Sequence, residues 1–243
     1  TSQGQLVGDY SNRTTYTEPV PIGMVRIPTG YMKSGYSDED FKSSMDAPVR
    51  TFNMIGFYMD ATEITNAQYR QFVNWVRDSI AHVMLGHVEP DDNGVDRINW
   101  KERINYRSED VQDQLMTMYI DASANPLGYK MLNTDMLTYA YKKYDGLMHA
   151  KNPGTPYNQY VYDKNPKIYP DTAVWIRQFS YSNNEPIAKQ YFNFQAFDEY
   201  PVVGVSWTQA NAFCHWRTQL WKGERQARKQ YFEGEFQLPT EME

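Results

Sequence analysis

Few side chains in this 243-residue chain are of types that carry out covalent or metal chemistry. There is one cysteine, Cys214, followed at once by His215. A thiolate beside an imidazolium is the pairing that nucleophilic catalysis uses. Neighbours on a helix, however, point a quarter-turn or more apart. Cys214 lies in an apolar helical stretch and is expected to be a buried, unreactive thiol. A single cysteine also excludes an intrachain disulfide. His82 and His87 are five apart, whereas a helix aligns residues four apart. Gly86 is expected to end that helix. Both histidines are therefore expected at the surface, and His149 stands alone. The acidic pairs Asp91-Asp92 and Glu109-Asp110 sit in polar surroundings typical of turns and helix starts. The residues alone assign no catalytic, cofactor-binding or metal-ligating position.

The elements that hold these side chains are clearer. Pro201-Val202-Val203-Gly204-Val205 is a short apolar run of strand type, followed by Ser206 and, three residues on, Gln209. That spacing predicts a capping box, with Val205 and Ala210 as a weak hydrophobic staple. Trp207, Ala210 and Cys214 recur at helical spacing, with Phe213 beside them, so they are expected to form the buried stripe. A second capping box is predicted at Thr65 and Gln68, with Ile64 and Tyr69 as its staple. Behind it Tyr69, Phe72, Val73, Val76 and Ile80 define one apolar helix face. Upstream, Met24–Ile27 reads as a strand, Pro28-Thr29-Gly30 as a turn into a second strand, and 52–60 as a strand-rich run.

Thirteen of the twenty tyrosines fall between Met84 and Tyr200. Short helices are expected near Ser108–Tyr119, capped by Ser108, and near Thr134–Tyr144, among loops marked by Asn-Pro and Tyr-Pro pairs. So long an irregular segment is expected to be functional or bound to a partner. Residues 1–20 read as an extended arm and Ser37–Arg50 as a loop. Lys222, Arg225, Arg228 and Lys229 form a basic cluster, read either as a solvated helix end or as a docking patch for an acidic partner.

Composition narrows the class. Hydrophobic residues make up 41% of the chain and the mean hydropathy is −0.73, which is globular. Net charge is −6, so nucleic acid is not an expected partner. No run of about 18 apolar residues is present to span a membrane.

Three phrases carry a resemblance. PVVGVSW, followed by an alanine-rich helix containing Cys214 and Trp216 and then by Leu238-Pro239-Thr240-Glu241, resembles the formylglycine-generating-enzyme (sulfatase-modifying factor) domain family. So does the run with Phe57, Asp60, Glu63, Thr65, Asn66, Gln68, Tyr69, Phe72 and Val73. Met24, Ile27, Pro28, Gly30 and Gly35 match its opening phrase. Gln237 stands where the family usually has arginine, and Ser34 where it has methionine. The resemblance implies an α+β fold related to C-type lectins, with much irregular structure and a long tyrosine-rich insert at about 84–200. In the enzymes of this family a copper-binding cysteine pair and calcium loops lie downstream of the Leu-Pro-Thr-Glu phrase. No such residue can be carried over here, so no catalytic role, cofactor or metal is expected.

Within the family, TEITNAQYRQFVNWVRDSIAH, DTAVWIRQFSYSNNEP and YPVVGVSWTQANAFCHWRTQL resemble the gliding-motility and type IX secretion lipoproteins of the GldK/PorK branch. This implies a non-catalytic ring subunit in the periplasm, held at the inner leaflet of the outer membrane by an N-terminal lipid. A GldN/PorN-type protein would be its ring partner. The rival expectations are a copper-dependent oxidase acting on sulfatase cysteines and a glycan- or peptidoglycan-binding module.

Overall fold

The apolar run at 52–60 does not remain one strand. It breaks at Ile55-Gly56, giving β3 (Arg50–Met54) and β4 (Phe57–Asp60). Gly56 sits against the turn at Thr29. Its amide donates to the Thr29 hydroxyl oxygen at 2.9 Å, and a Cβ there would lie 3.1 Å from the Ile27 carbonyl oxygen. Each half then pairs separately. β4 runs antiparallel to β1 (Met24–Ile27), and β3 runs antiparallel to β2 (Gly30–Ser34). Both strands expected around the Pro28 turn are present, but neither pairs with the other.

These observations come from a computed structural model that describes residues 20–35, 48–91, 94, 96–124, 130–181, 190–230 and 234–243. The expected arm at 1–20 lies outside the described residues except for Val20, as does most of the Ser37–Arg50 loop. The chain divides into two units, Thr1–Glu63 with Glu241–Glu243, and Ile64–Thr240.

The second unit holds two long helices. α1 (Asn66–Met84) is followed by the hairpin of β5 (Val88–Pro90) and β6 (Asp96–Ile98), then α2 (Glu109–Gln114). β7 (Tyr119–Ile120) pairs with β8 (Met131–Leu132). β9 (Tyr141–Tyr144) and β10 (Val161–Lys164) pair around α3 (Gly146–Lys151). α4 (Val174–Gln178) and α5 (Trp207–Ala227) complete the order. The architecture is mixed α and β with sheets of two strands, as the sequence suggests.

The predicted face of α1 is the core face. Tyr69, Phe72, Val73 and Val76 are buried and Ile80 packs beside them. They meet Ala212, Phe213 and Trp216 of α5, and the rings of Phe72 and Trp216 are 5.3 Å apart. Leu137, Tyr141, Ile168 and Phe192 join the same cluster. The segment 84–200 therefore completes the core between the two helices. Each large apolar side chain so buried contributes about 1.5–3 kcal/mol, and each aromatic pair about 0.5–1.5 kcal/mol more.

Three expectations are corrected. Trp207 is 68% exposed, so the Trp207–Ala210–Cys214 stripe is not the core face. At about 3.6 residues per turn it lies roughly opposite Ala212, Phe213 and Trp216. Further along, the buried face swings round to Thr218, Trp221 and Arg225. There the segment 234–240 returns along α5: Phe236 N donates to Thr218 Oγ1 at 2.9 Å, and Arg217 lies over the Phe236 ring. Ser108 does precede a short helix, but its side chain makes no capping bond. Thr134–Tyr144 is one 3-10 turn, Thr134–Met136, followed by the strand β9. Pairing of Tyr-Lys-Lys-Tyr with β10 overrides its helical spacing.

Candidate functional site

Both predicted capping boxes form. The Thr65 hydroxyl accepts from Gln68 N at 3.3 Å and Gln68 Oε1 accepts from Thr65 N at 3.0 Å. Ser206 and Gln209 repeat the arrangement at 3.3 and 2.7 Å. Gln209 also donates through Nε2 to the Tyr169 carbonyl oxygen at 2.8 Å, tying the start of α5 to the segment before it.

The start of α1 is held by a segment that its own sequence does not reveal. Asn66 N and Ala67 N donate to the carbonyl oxygens of Tyr200 and Asp198, which satisfies first-turn amides that a helix leaves open. The Asn66 side chain is fully buried and donates to the Phe197 carbonyl oxygen at 2.9 Å. Arg70 donates to the Phe192 carbonyl oxygen and forms an ion pair with Asp198. Tyr69, one residue before, donates its hydroxyl to the Ile168 carbonyl oxygen at 2.8 Å, and burial pushes its ionisation far above the usual phenol range. Gly204 is fixed by a close approach: its φ is +80°, its carbonyl accepts from Asp171 N, and a Cβ would fall 2.2 Å from the Asp171 carbonyl oxygen.

Tyrosine and histidine meet where β9 crosses α5. The Tyr139 hydroxyl and His215 Nδ1 are 3.0 Å apart, and the Tyr141 ring stacks on His215 with centroids 4.7 Å apart. Lys143 donates to Asn211 Oδ1 at 3.3 Å and lies over the Trp207 ring. Alternate residues 139, 141 and 143 of the strand side thus face residues 207, 211 and 215, one turn apart on the helix. Burial lowers the His215 pKa and raises that of Tyr139 to about 12. Both shifts favour the neutral forms, so a neutral phenol and a neutral imidazole meet at 3.0 Å and join β9 to α5. Cys214, beside His215 in sequence, is half-buried rather than buried; burial first, and then a charge on Cys214, raise the pKa of Tyr141.

A second histidine pair overturns the expectation for His82 and His87. The φ of Gly86 is +74°. Gly86 N donates to the Val83 carbonyl oxygen and His87 N to that of His82, a Schellman end that folds the chain back. The two Nδ1 atoms are 3.1 Å apart, with one N–H donating to the other. His82 is only 5% exposed and packs edge-on against Trp100; His87 Nε2 is 3.1 Å from Glu102. Burial first, and then the neighbouring His87, lower the His82 pKa, partly offset by Asp78 and Glu102. Reading spacing along an unbroken helix misses this pair; the glycine four residues after His82 is the signal for it.

The basic cluster on α5 is largely used inside the chain. Arg225 is buried over the Trp221 ring and donates to Gln230, Lys222 pairs with Glu235, and Arg228 with Glu224. Among the described residues no three of His, Cys, Asp and Glu converge to hold a metal. The one thiol offers a single soft ligand, so the residues present do not match a two-cysteine copper centre.

The profile of the sulfatase-modifying factor enzyme 1-like domain matches residues 11–243. The chain belongs to this family. A stretch of 54 residues is 43% identical to the formylglycine-generating enzyme of Bos taurus, covering 22% of this chain and 14% of that protein. A stretch of 51 residues is 43% identical to the formylglycine-generating enzyme of Mus musculus, covering 21% and 14%. These matches span 14% of the length of either relative. In this member of the sulfatase-modifying factor family, two of the family's phrases fall at the two capped helices and the third on β1, β2 and the turn between them.

Proposed function

We propose that this chain is a structural ring subunit of the type IX protein secretion system, of the GldK/PorK kind. On this reading it works in the periplasm, held at the inner leaflet of the outer membrane by a lipid, with a GldN/PorN-type protein as partner. One observation carries the reading: the family's signature side chains serve the scaffold. Thr65, Gln68, Ser206 and Gln209 cap helices, while Asn66, Tyr69 and Trp216 are buried in packing. One of the phrases typical of this branch, DTAVWIRQFSYSNNEP, lies within residues 84–200, a segment that both completes the core and turns aromatic side chains outward. A rigid platform with a contact surface suits a ring subunit, because aromatic anchors dominate interface energetics.

The test is the native mass of the detergent-extracted protein by mass photometry, with subunits identified. A large particle of many copies containing a second protein is the expected result. A second reading, an enzyme that generates formylglycine, is favoured by the 43% identity to the Bos taurus protein. A monomer that converts a cysteine in a sulfatase peptide to formylglycine would replace the ring reading with that one.

A further inference from the structure

The excursion from β9 to β10 carries an apolar surface that its own fold leaves open. Leu147 is 69% exposed and Tyr157 58%, and Tyr144 and Met148 are exposed beside them. These side chains are held in place. The Tyr144 ring lies 4.6 Å from that of Tyr157, its hydroxyl is 2.6 Å from His149 Nδ1, and His149 stacks on Tyr160. Asp145 caps α3 by accepting from Met148 N at 3.0 Å. Anchors ordered before binding lose little entropy when they dock.

Charge indicates what docks there. Residues 141–164 contain Lys142, Lys143, Lys151 and Lys164 against Asp145 and Asp163, so 4 − 2 = +2. The whole chain is −6, which leaves −8 on the remainder. Among the described residues none of these four lysines is in an ion pair; Lys143 is bound to Asn211 and Trp207, and Lys164 lies over Tyr162. On the same unit, α2 displays Glu109, Asp110 and Asp113, all exposed, with no basic residue in the helix. Among the described residues these three carboxylates are in no ion pair either. The basic excursion of one copy and the acidic α2 of another are complementary in charge, and a contact between two different patches repeated head to tail closes into a ring.

We infer that the aromatic face of the 141–164 excursion docks on the acidic α2 surface of a second copy of this chain. The contact deepens the ring reading above and rests on the self-association that reading requires. The test is sedimentation velocity of the purified chain across a concentration series, at low and high salt. Association at low salt that weakens as salt rises is expected. Replacing Lys142, Lys151 and Lys164 by glutamate, or the three α2 acids by lysine, abolishes association in either variant alone. Mixing the two variants restores it, since each excursion again faces an α2 of opposite charge. Tyr157→Ser weakens association at least about tenfold, as an aromatic anchor should, while the chain still melts in one cooperative transition. A wild-type chain that stays monomeric, or a mixture that fails to associate, overturns the contact. The ring reading is separable: a native particle that stays large when it carries the lysine-to-glutamate chain sinks this contact and leaves the ring standing.

Discussion

α1 and α5 begin with the same device and end in different situations. Each has a hydroxyl cap and a glutamine three residues on, and they are 19 and 21 residues long. α1 keeps Tyr69, Phe72, Val73 and Val76 on one face for most of its length and buries Ala81 and His82 on other sides only in its last turn. α5 buries Ala212, Phe213 and Trp216 early, then Thr218, Trp221 and Arg225 on the other side. The difference shows what a hydrophobic stripe can report. It gives the direction of the core when one surface covers the helix, and loses it when two surfaces cover it in turn.

The sharpest way to break this comparison is to truncate one tryptophan at a time. Trp216→Ala should destabilise by about 3–5 kcal/mol, as should Phe72→Ala, because both leave cavities in the shared core. Trp207→Ala should cost no more than about 0.5 kcal/mol, as an exposed position does. Urea denaturation measures all three, and equal losses at Trp207 and Trp216 would refute the assigned α5 face. Gly204→Ala comes next, at about 3 kcal/mol from left-handed strain and the contact with Asp171. It should act on α5 and leave the caps of α1 intact, which amide exchange would report. Thr65→Ala and Ser206→Ala should each cost about 1 kcal/mol. A much greater loss at Ser206 would mean that Gln209, through its bond to Tyr169, is displaced along with the cap.

The smallest effect is a tilt with pH. His82 and His215 both have folded pKa values below the ordinary 6.5. Between that value and the lower folded one, the unfolded chain binds more protons. Stability is therefore complete above about pH 6.5 and falls as the pH drops towards the folded values. His82→Gln and His215→Gln should each flatten part of that slope in melting curves taken across the range. A slope unchanged in both would show that these imidazoles are not the groups responsible.

What the sequence made legible follows from locality. The caps at Thr65 and Ser206, the face from Tyr69 to Ile80 and the strands at Met24 and Gly30 depend on neighbours a few positions away. The joint of Tyr139 and Tyr141 with His215 does not, because it joins residues 76 positions apart across an irregular segment. β9 read as helix because Tyr141 and Tyr144 also fit a helical spacing, and only pairing with β10 decides between the two. The histidine pair was hidden by a different cause: a helix ending reverses the chain, and five positions then become one contact. The C-terminal return over α5 is made by Glu235 and Phe236, in a segment with no periodicity that points back to Thr218.

The crossing of β9 over α5 works like a vernier. Two residues of strand advance about 6.6 Å, and four residues of helix about 6.0 Å. Tyr139 and Tyr141 both meet His215, and Lys143 then reaches Asn211 a turn away. At Lys143 a long, flexible ammonium bridges Asn211 and Trp207 and takes up the misfit. A scale of this kind reads true over only a few divisions, so this crossing cannot be lengthened without a bulge in the strand. The length of β9 is thus limited by arithmetic between two repeats, and one residue added to it would put every following mark on the wrong side.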